Sequence, residues 1–202
     1  MKVPADARGT NHGSIDFDRR RIMRGAIVMA GAMTLFAPAR RLLAADSAPV
    51  STVNIEDFSP AGKSLGVRAV PIVVRSDEQW RQQLSPEAFH VTRQAGTEPS
   101  YSGALWNQHG SGLYRCICCE TALFDSATKF ESGTGWPSFW NPISRHNVVE
   151  RSDKSLWESR TAVNCRLCDA HLGHVFDDGP APTGLRYCMN SVALHFHLRQ
   201  AG

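Results

Sequence analysis

Six cysteines carry most of the chemistry this 202-residue chain could offer, and they are not distributed alike. Five form two tight groups, Cys116/Cys118/Cys119 and Cys165/Cys168, while Cys188 stands apart in Arg186-Tyr187-Cys188-Met189-Asn190. Grouped thiols at Cys-x-x-Cys spacing have the pattern of a metal site. A lone thiol between a guanidinium and a carboxamide has the pattern of a nucleophile, since a nearby cation favours the thiolate and the thiolate is the attacking form.

The two groups read Cys116-Ile117-Cys118-Cys119 and Cys165-Arg166-Leu167-Cys168. Each knuckle offers two thiolates on one tight turn, and two knuckles complete a tetrahedral set around a single ion. Four thiolates leave no open coordination position, so such a site is structural. Cys116 with Cys119 gives the standard spacing and leaves Cys118 as the spare. The competing reading is disulfides, which an exported chain permits. The short spacing favours a metal, zinc or iron, over a long-range disulfide framework.

Around Cys188 the residues are polar. If Thr183–Leu198 is mostly one strand, Arg186, Cys188 and Asn190 share a face, and His195 and His197 fall on the other. Ala170-His171-Leu172-Gly173-His174-Val175-Phe176-Asp177-Asp178 concentrates histidine and acid just after the second knuckle. With four cysteines filling the metal site, His171 and His174 are better placed as acid–base partners of a nucleophile. Gly133-Thr134-Gly135-Trp136-Pro137-Ser138-Phe139-Trp140 adds three aromatics, which serve either as core or as an apolar pocket for a methyl-sulfur group.

The elements that must hold these residues are short. Ser76-Asp77-Glu78-Gln79 has the form of a capping box, with Trp80 and Leu84 as apolar positions of the helix it starts. Ser85-Pro86-Glu87 begins a second helix with cap, proline and acid in order. Beyond Thr97, turn residues and aromatics recur without helical periodicity, and the expected strands are Leu113–Cys116, Ala122–Phe124, Thr161–Val163 and Leu185–Leu198. Residues 46–75 read as a linker or N-terminal arm leading into an edge strand at Val70–Val74, and residues 76–202 as one catalytic domain. The domain is expected to be mainly β, loop-rich and pinned by a four-cysteine metal site.

Residues 1–45 read as an export signal. Arg19-Arg20-Arg21 and Arg24 precede an uncharged run from Gly25 to Ala37, then Ala-rich sequence to Ala45. The run is too short to span a bilayer as a helix, which needs roughly 20 residues. Asp18-Arg19-Arg20-Arg21-Ile22-Met23-Arg24 resembles the twin-arginine export pattern. The expected destination is the periplasm, with membrane tethering if the segment is not cleaved. Residues 1–45 hold 8 Lys/Arg and 3 Asp/Glu, leaving 14 and 16 in the rest, so the net +3 of the whole chain becomes −2 for the mature part. That balance argues against nucleic acid as a partner.

Taken together, GTEPSYSG (Gly96–Gly103), the Cys116/Cys119 knuckle, LFDSATKFESGTGWPSF (Leu123–Phe139), CDAHLGHVFDDGP (Cys168–Pro180) and TGLRYCMNS (Thr183–Ser191) resemble the B-type methionine sulfoxide reductases, which act on the R epimer. The resemblance implies two small antiparallel sheets with a few peripheral helices. It implies Cys188 as nucleophile, with His171, His174, Asp178, Arg186 and Asn190 in the active site and Trp136 and Phe139 binding substrate. It also implies structural Zn2+ on Cys116, Cys119, Cys165 and Cys168. A monomer is expected, acting on oxidised proteins and regenerated by a thioredoxin-like or other external thiol. The chain departs from part of the family in having Thr134 where many members carry a resolving cysteine. Glu120 replaces the usual glycine after the first knuckle, and Ala162 stands where glutamate is common. Two other readings are a zinc-ribbon binding module with an inert Cys188, and a thiol–disulfide oxidoreductase using Cys118-Cys119.

Overall fold

The computed structural model describes residues 51–153 and 160–200; the export-signal reading falls on residues 1–45, outside them. The described chain is mainly β, with three antiparallel sheets and two short helices. Helix α1 (Asp77–Gln83) starts at the expected capping box: Ser76 Oγ accepts from Gln79 N, and Gln79 Oε1 accepts from Ser76 N. Helix α2 (Pro86–Gln94) is capped by Ser85 and stops at Ala95, which turns left-handed at φ 53°. Trp80 and Phe89, nearly inaccessible, fasten the two helices to the core.

The stretch read as a linker is largely a hairpin. Strands β1 (Thr52–Phe58) and β2 (Ser64–Pro71) pair antiparallel. The expected edge strand at 70–74 begins earlier and ends at Pro71. Buried Asn147 ties this hairpin to the rest: its Nδ2 donates to the carbonyls of Glu56 (2.8 Å) and Ala122 (2.7 Å), and its Oδ1 accepts from Glu56 N (2.9 Å). One amide side chain thus makes a connection that no local pattern around residue 50 announces.

A three-stranded sheet runs β11–β3–β4, built from β3 (Gly112–Cys116), β4 (Ala122–Asp125) and β11 (Leu194–Leu198). A six-stranded sheet runs β5–β6–β10–β9–β8–β7. Its members are β5 (Lys129–Phe130), β6 (Ser138–Phe139), β7 (Val148–Asp153), β8 (Arg160–Cys165), β9 (His171–Phe176) and β10 (Arg186–Met189). Tyr114 and Phe124 from the smaller sheet pack against Phe139 and Tyr187 from the larger. Phe124 stacks on Phe139 at 4.4 Å between centroids, and Tyr114 meets Phe139 edge-on at 4.9 Å. All four are inaccessible, so the core lies between the sheets.

The strand expected over residues 185–198 is two strands in two sheets. After Met189 the chain makes a 3₁₀ turn, Ser191–Ala193, and then β11 joins β3. The break is fixed by the buried carboxylate of Glu98, which accepts from Ser191 N (2.7 Å) and Val192 N (3.0 Å). His195 and His197 do lie away from Cys188, but a change of sheet puts them there rather than strand parity.

Candidate active site

Cys188 lies near the centre of the larger sheet, and pairing decides its companions. Its partner on β6 is Ser138 and its partner on β9 is His174, which in turn faces Ala162 on β8. Directly opposed residues share a sheet face. Ser138, Cys188, His174 and Ala162 therefore form one row, and Arg186 with its partner Phe176 forms the next along the same face. The other face carries Tyr187, Met189 and Phe139 into the core.

Gly173 makes the close approach possible. A Cβ there would collide with the carbonyl oxygen of Cys188, so any larger residue would push β9 and β10 apart. The same strand is bulged. Val163 pairs with Gly173 but Asn164 pairs with His171, so Leu172 is the extra residue. The bulge reverses the alternation and brings His171 onto the face of His174, with ring centroids 5.2 Å apart. It also leaves the Leu172 carbonyl outside the ladder, and Asn190 occupies it with both its backbone N (2.8 Å) and its Nδ2 (3.0 Å). Asn190 Oδ1 accepts from Glu98 N (3.0 Å), and the Glu98 carbonyl accepts from Trp136 Nε1 (3.1 Å). Glu98 therefore holds both the turn after Cys188 and the Trp136 side chain. Its place in GTEPSYSG is visible in the sequence; its role is not.

A cleft of about 290 Å3 opens over this row. Trp136 and Thr134 lie on one side, His174, Phe176 and Arg186 on the other, with Cys188 and Asn190 between them. Of the residues read as a site, Cys188, His174, Arg186, Asn190 and Trp136 line it. Phe139 does not: it is fully buried between the sheets and stacked on Phe124, on the sheet face opposite Cys188, whose partner on β6 is Ser138. His171 sits beneath the cleft, 5% exposed, with Nε2 buried and unpartnered. Asp178 is exposed and reaches the site through Arg186, accepting from Nε and Nη2 at 2.8 Å each.

Arg186 lowers the Cys188 thiol, as the sequence leads one to expect of a neighbouring cation, but it is not the dominant influence. Desolvation by burial dominates instead and raises the thiol above its ordinary value, while Thr134, Arg186 and Ser138 pull it back only in part. Arg186 has its fork engaged by Asp178 and its guanidinium over the Phe176 ring at 4.4 Å. Burial thus favours the thiol form of Cys188. Burial likewise pushes His171 down to about 4, so it is neutral near pH 7. His174 Nε2 lies 2.9 Å from Asp153 Oδ2, and Arg160 Nη2 approaches the same oxygen at 3.6 Å. Ala162, opposite His174, brings no carboxylate; Asp153, at the end of β7, does.

Four of the other five cysteines form the second centre. The sulfurs of Cys116, Cys119, Cys165 and Cys168 lie within 4.8 Å of one another, with Cys116–Cys168 at 3.6 Å and Cys119–Cys165 at 3.5 Å. Four thiolates about 2.3 Å from one tetrahedral ion would stand roughly 3.8 Å apart, so the donor set fits such an ion. No disulfide joins any of the six cysteines. Both knuckles turn through a left-handed residue after the second cysteine, Glu120 (φ 60°) and Asp169 (φ 57°). Cys118 stays outside the four-sulfur set and is 4% exposed, with its carbonyl accepting from Gln83 Nε2. A buried thiol at that place is poorly suited to an exposed Cys118-Cys119 redox pair.

Comparison with known proteins agrees with this geometry. Residues 84–198 match the SelR domain model, which covers more than half of the chain. The chain belongs to the SelR-domain family. Among its relatives is a protein named peptide methionine sulfoxide reductase MsrB from Synechococcus sp. (strain RCC307), 52% identical over 124 residues, 61% of this chain and 91% of that protein. A protein of the same name from Thioalkalivibrio sulfidiphilus is 55% identical over 121 residues, 60% of this chain and 88% of the relative. Peptide methionine sulfoxide reductase B1, chloroplastic, from Arabidopsis thaliana is 54% identical over 120 residues, 59% of each chain. The SelR match takes in the three- and six-stranded sheets and every residue of the cleft, and leaves out the β1–β2 hairpin.

Proposed function

We propose that this SelR-domain protein reduces the R epimer of methionine sulfoxide in oxidised proteins, with Cys188 as the nucleophile. The observation that carries the reading is Cys188 directly opposite His174 in a cleft that Trp136 also lines. The resemblance of the motifs and the names of the relatives supply the substrate class.

The substrate methyl and sulfur lie against the Trp136 ring, where sulfur–aromatic contact is favourable. Cys188 Sγ attacks the sulfoxide sulfur. The thiol proton passes to the sulfoxide oxygen by way of His174, which faces Cys188 across the β9–β10 pair and whose Nε2 is engaged by Asp153. The S–O bond breaks, methionine leaves, and the oxygen stays on Cys188 as a sulfenic acid. Cys–SH plus sulfoxide equals Cys–SOH plus thioether, so no outside proton is consumed. Neutral His171 beneath His174 adds no competing positive charge. Asn190 fixes the bulge, and the Asp178–Arg186 pair borders the charge-bearing end.

Return to the thiol takes two equivalents of an external thiol, or one thioredoxin-like dithiol, and releases water and a disulfide. No cysteine stands at position 134, and Cys118 is buried in the knuckle region. The Cys116/Cys119/Cys165/Cys168 set would hold a structural Zn2+, which when bound joins β3–β4 to β8–β9 and takes no part in the reaction. The arginine-rich N-terminus supports export to the periplasm by a twin-arginine-type route.

The test is reduction of each epimer of a methionine sulfoxide peptide, with dithiothreitol supplied, by wild type and Cys188→Ser. R-selective turnover that vanishes in the variant is expected. Equal turnover of both epimers, or activity retained in Cys188→Ser, overturns the proposal.

A further inference from the structure

A second cluster of metal-ligating side chains lies on the surface, outside the cleft and the four-cysteine set. His195 and His197 are two residues apart on β11, so both imidazoles stand on one face of the smaller sheet. Glu120, in the turn between β3 and β4, reaches both: its Oε1 is 2.6 Å from His195 Nδ1 and its Oε2 is 3.0 Å from His197 Nε2. The three side chains are each about half exposed, and their donor atoms lie within 4.8 Å of one another.

We infer that Glu120, His195 and His197 form a surface binding site for a divalent late transition ion such as Ni2+, Cu2+ or Zn2+. Two imidazole nitrogens with one carboxylate are the donor chemistry those ions select, and calcium or magnesium would want oxygen ligands instead. Bond lengths of about 2.0–2.2 Å require donors no more than about 4.4 Å apart, which small rotations of exposed side chains provide. Three protein donors leave coordination positions open to solvent, unlike the closed four-cysteine set, so the ion would exchange readily.

Two further features support the assignment. Glu120 is held at φ 60°, a conformation for which glycine is the ordinary choice, yet it places a carboxylate between two imidazoles. A neighbouring cation, Arg115, faces His195 across the β3–β11 pair, but its guanidinium donates to the carbonyls of Glu120 and Phe58 at 3.0 Å each. Arg115 is thereby committed to backbone oxygens rather than to the Glu120 carboxylate.

The test is Ni2+ binding to the full-length, zinc-loaded protein by equilibrium dialysis, with zinc and nickel both measured by elemental analysis. Wild type is expected to take up one Ni2+ per chain while keeping its zinc. His195→Ala and His197→Ala should each weaken Ni2+ binding by about tenfold or more, and the double variant should bind none at this site. Circular dichroism, zinc content and sulfoxide reduction in the same variants check that fold and catalysis are intact. The inference is overturned if wild type binds no Ni2+ in roughly tenfold excess, or if the double variant, still folded and zinc-loaded, binds as much as wild type.

Discussion

The hydroxyl oxygen of Thr134 lies 3.9 Å from the sulfur of Cys188. Those two atoms face each other across the cleft, on the loop and the strand that the chemistry would use. Thr134 is flanked by Gly133 and Gly135, both at positive φ, so the loop is shaped by glycines rather than by its central residue. Gly135 also accepts from Tyr101 N at 2.9 Å, which pins the loop on its far side.

A sulfur at position 134 would therefore meet Cys188 with little backbone movement. Thr134→Cys is expected to trap a 134–188 disulfide after one turnover with sulfoxide. It should also shift the preferred reductant from monothiols toward dithiols. Peptide mapping of the oxidised variant checks this. A sulfenic acid that persists on Cys188 would show that the two positions do not meet.

Burial holds the Cys188 thiol above its ordinary range, against the pull of Thr134, Arg186 and Ser138. The thiolate fraction at neutral pH is thus small, and rises only as pH passes above that range. The rate of alkylation by iodoacetamide is expected to have its midpoint above that of a free cysteine. Arg186→Gln should move the midpoint higher still and slow alkylation at pH 7. A wild-type midpoint below about 8 would contradict the assignment of a resting thiol.

Asp153 is the carboxylate that His174 meets, since the residue opposite His174 on β8 is Ala162. Asp153→Asn keeps a hydrogen-bonding group but removes the carboxylate that orients the His174 ring. A fall in kcat of about tenfold or more is expected with KM little changed. Loss confined to KM would assign Asp153 to substrate binding instead.

His171 titrates near 4 in the fold against 6.5 when free, because burial disfavours its cation. The unfolded chain therefore binds this proton more tightly than the folded one. Its contribution to stability is full above about pH 6.5 and is lost as pH falls toward 4, by on the order of 3 kcal/mol. Denaturant unfolding of wild type and His171→Phe at pH 7 and pH 4.5 should show a smaller acid loss in the variant. An identical loss in both would place the acid sensitivity elsewhere.

How far the sequence can be read depends on how local each determinant is. The helix starts at Ser76 and Ser85 are legible because caps act within four residues, and the Cys-x-x-Cys knuckles are legible for the same reason. Mainly β character and the company of Cys188 also follow from short-range pattern. The break at Asn190 is not visible, because Glu98, which imposes it, lies more than ninety residues away in the chain. The bulge at Leu172 is equally hidden, and with it the reason that two histidines three apart share a face. Phe139 is placed beside the substrate by its motif, but two-residue alternation in so short a strand turns it into the core and leaves Ser138 on the face of Cys188. The hairpin at 52–71 eludes pattern reading because its anchor, Asn147, is a single distant amide.

The central claim is that the sulfoxide oxygen is taken by Cys188 itself. It is tested most directly by one turnover of reductant-free enzyme with the R epimer in the presence of dimedone, followed by mass spectrometry. The prediction is one methionine released per chain and one dimedone adduct, on Cys188. Methionine released without an adduct on Cys188, or an adduct on Cys118 in its place, would contradict it.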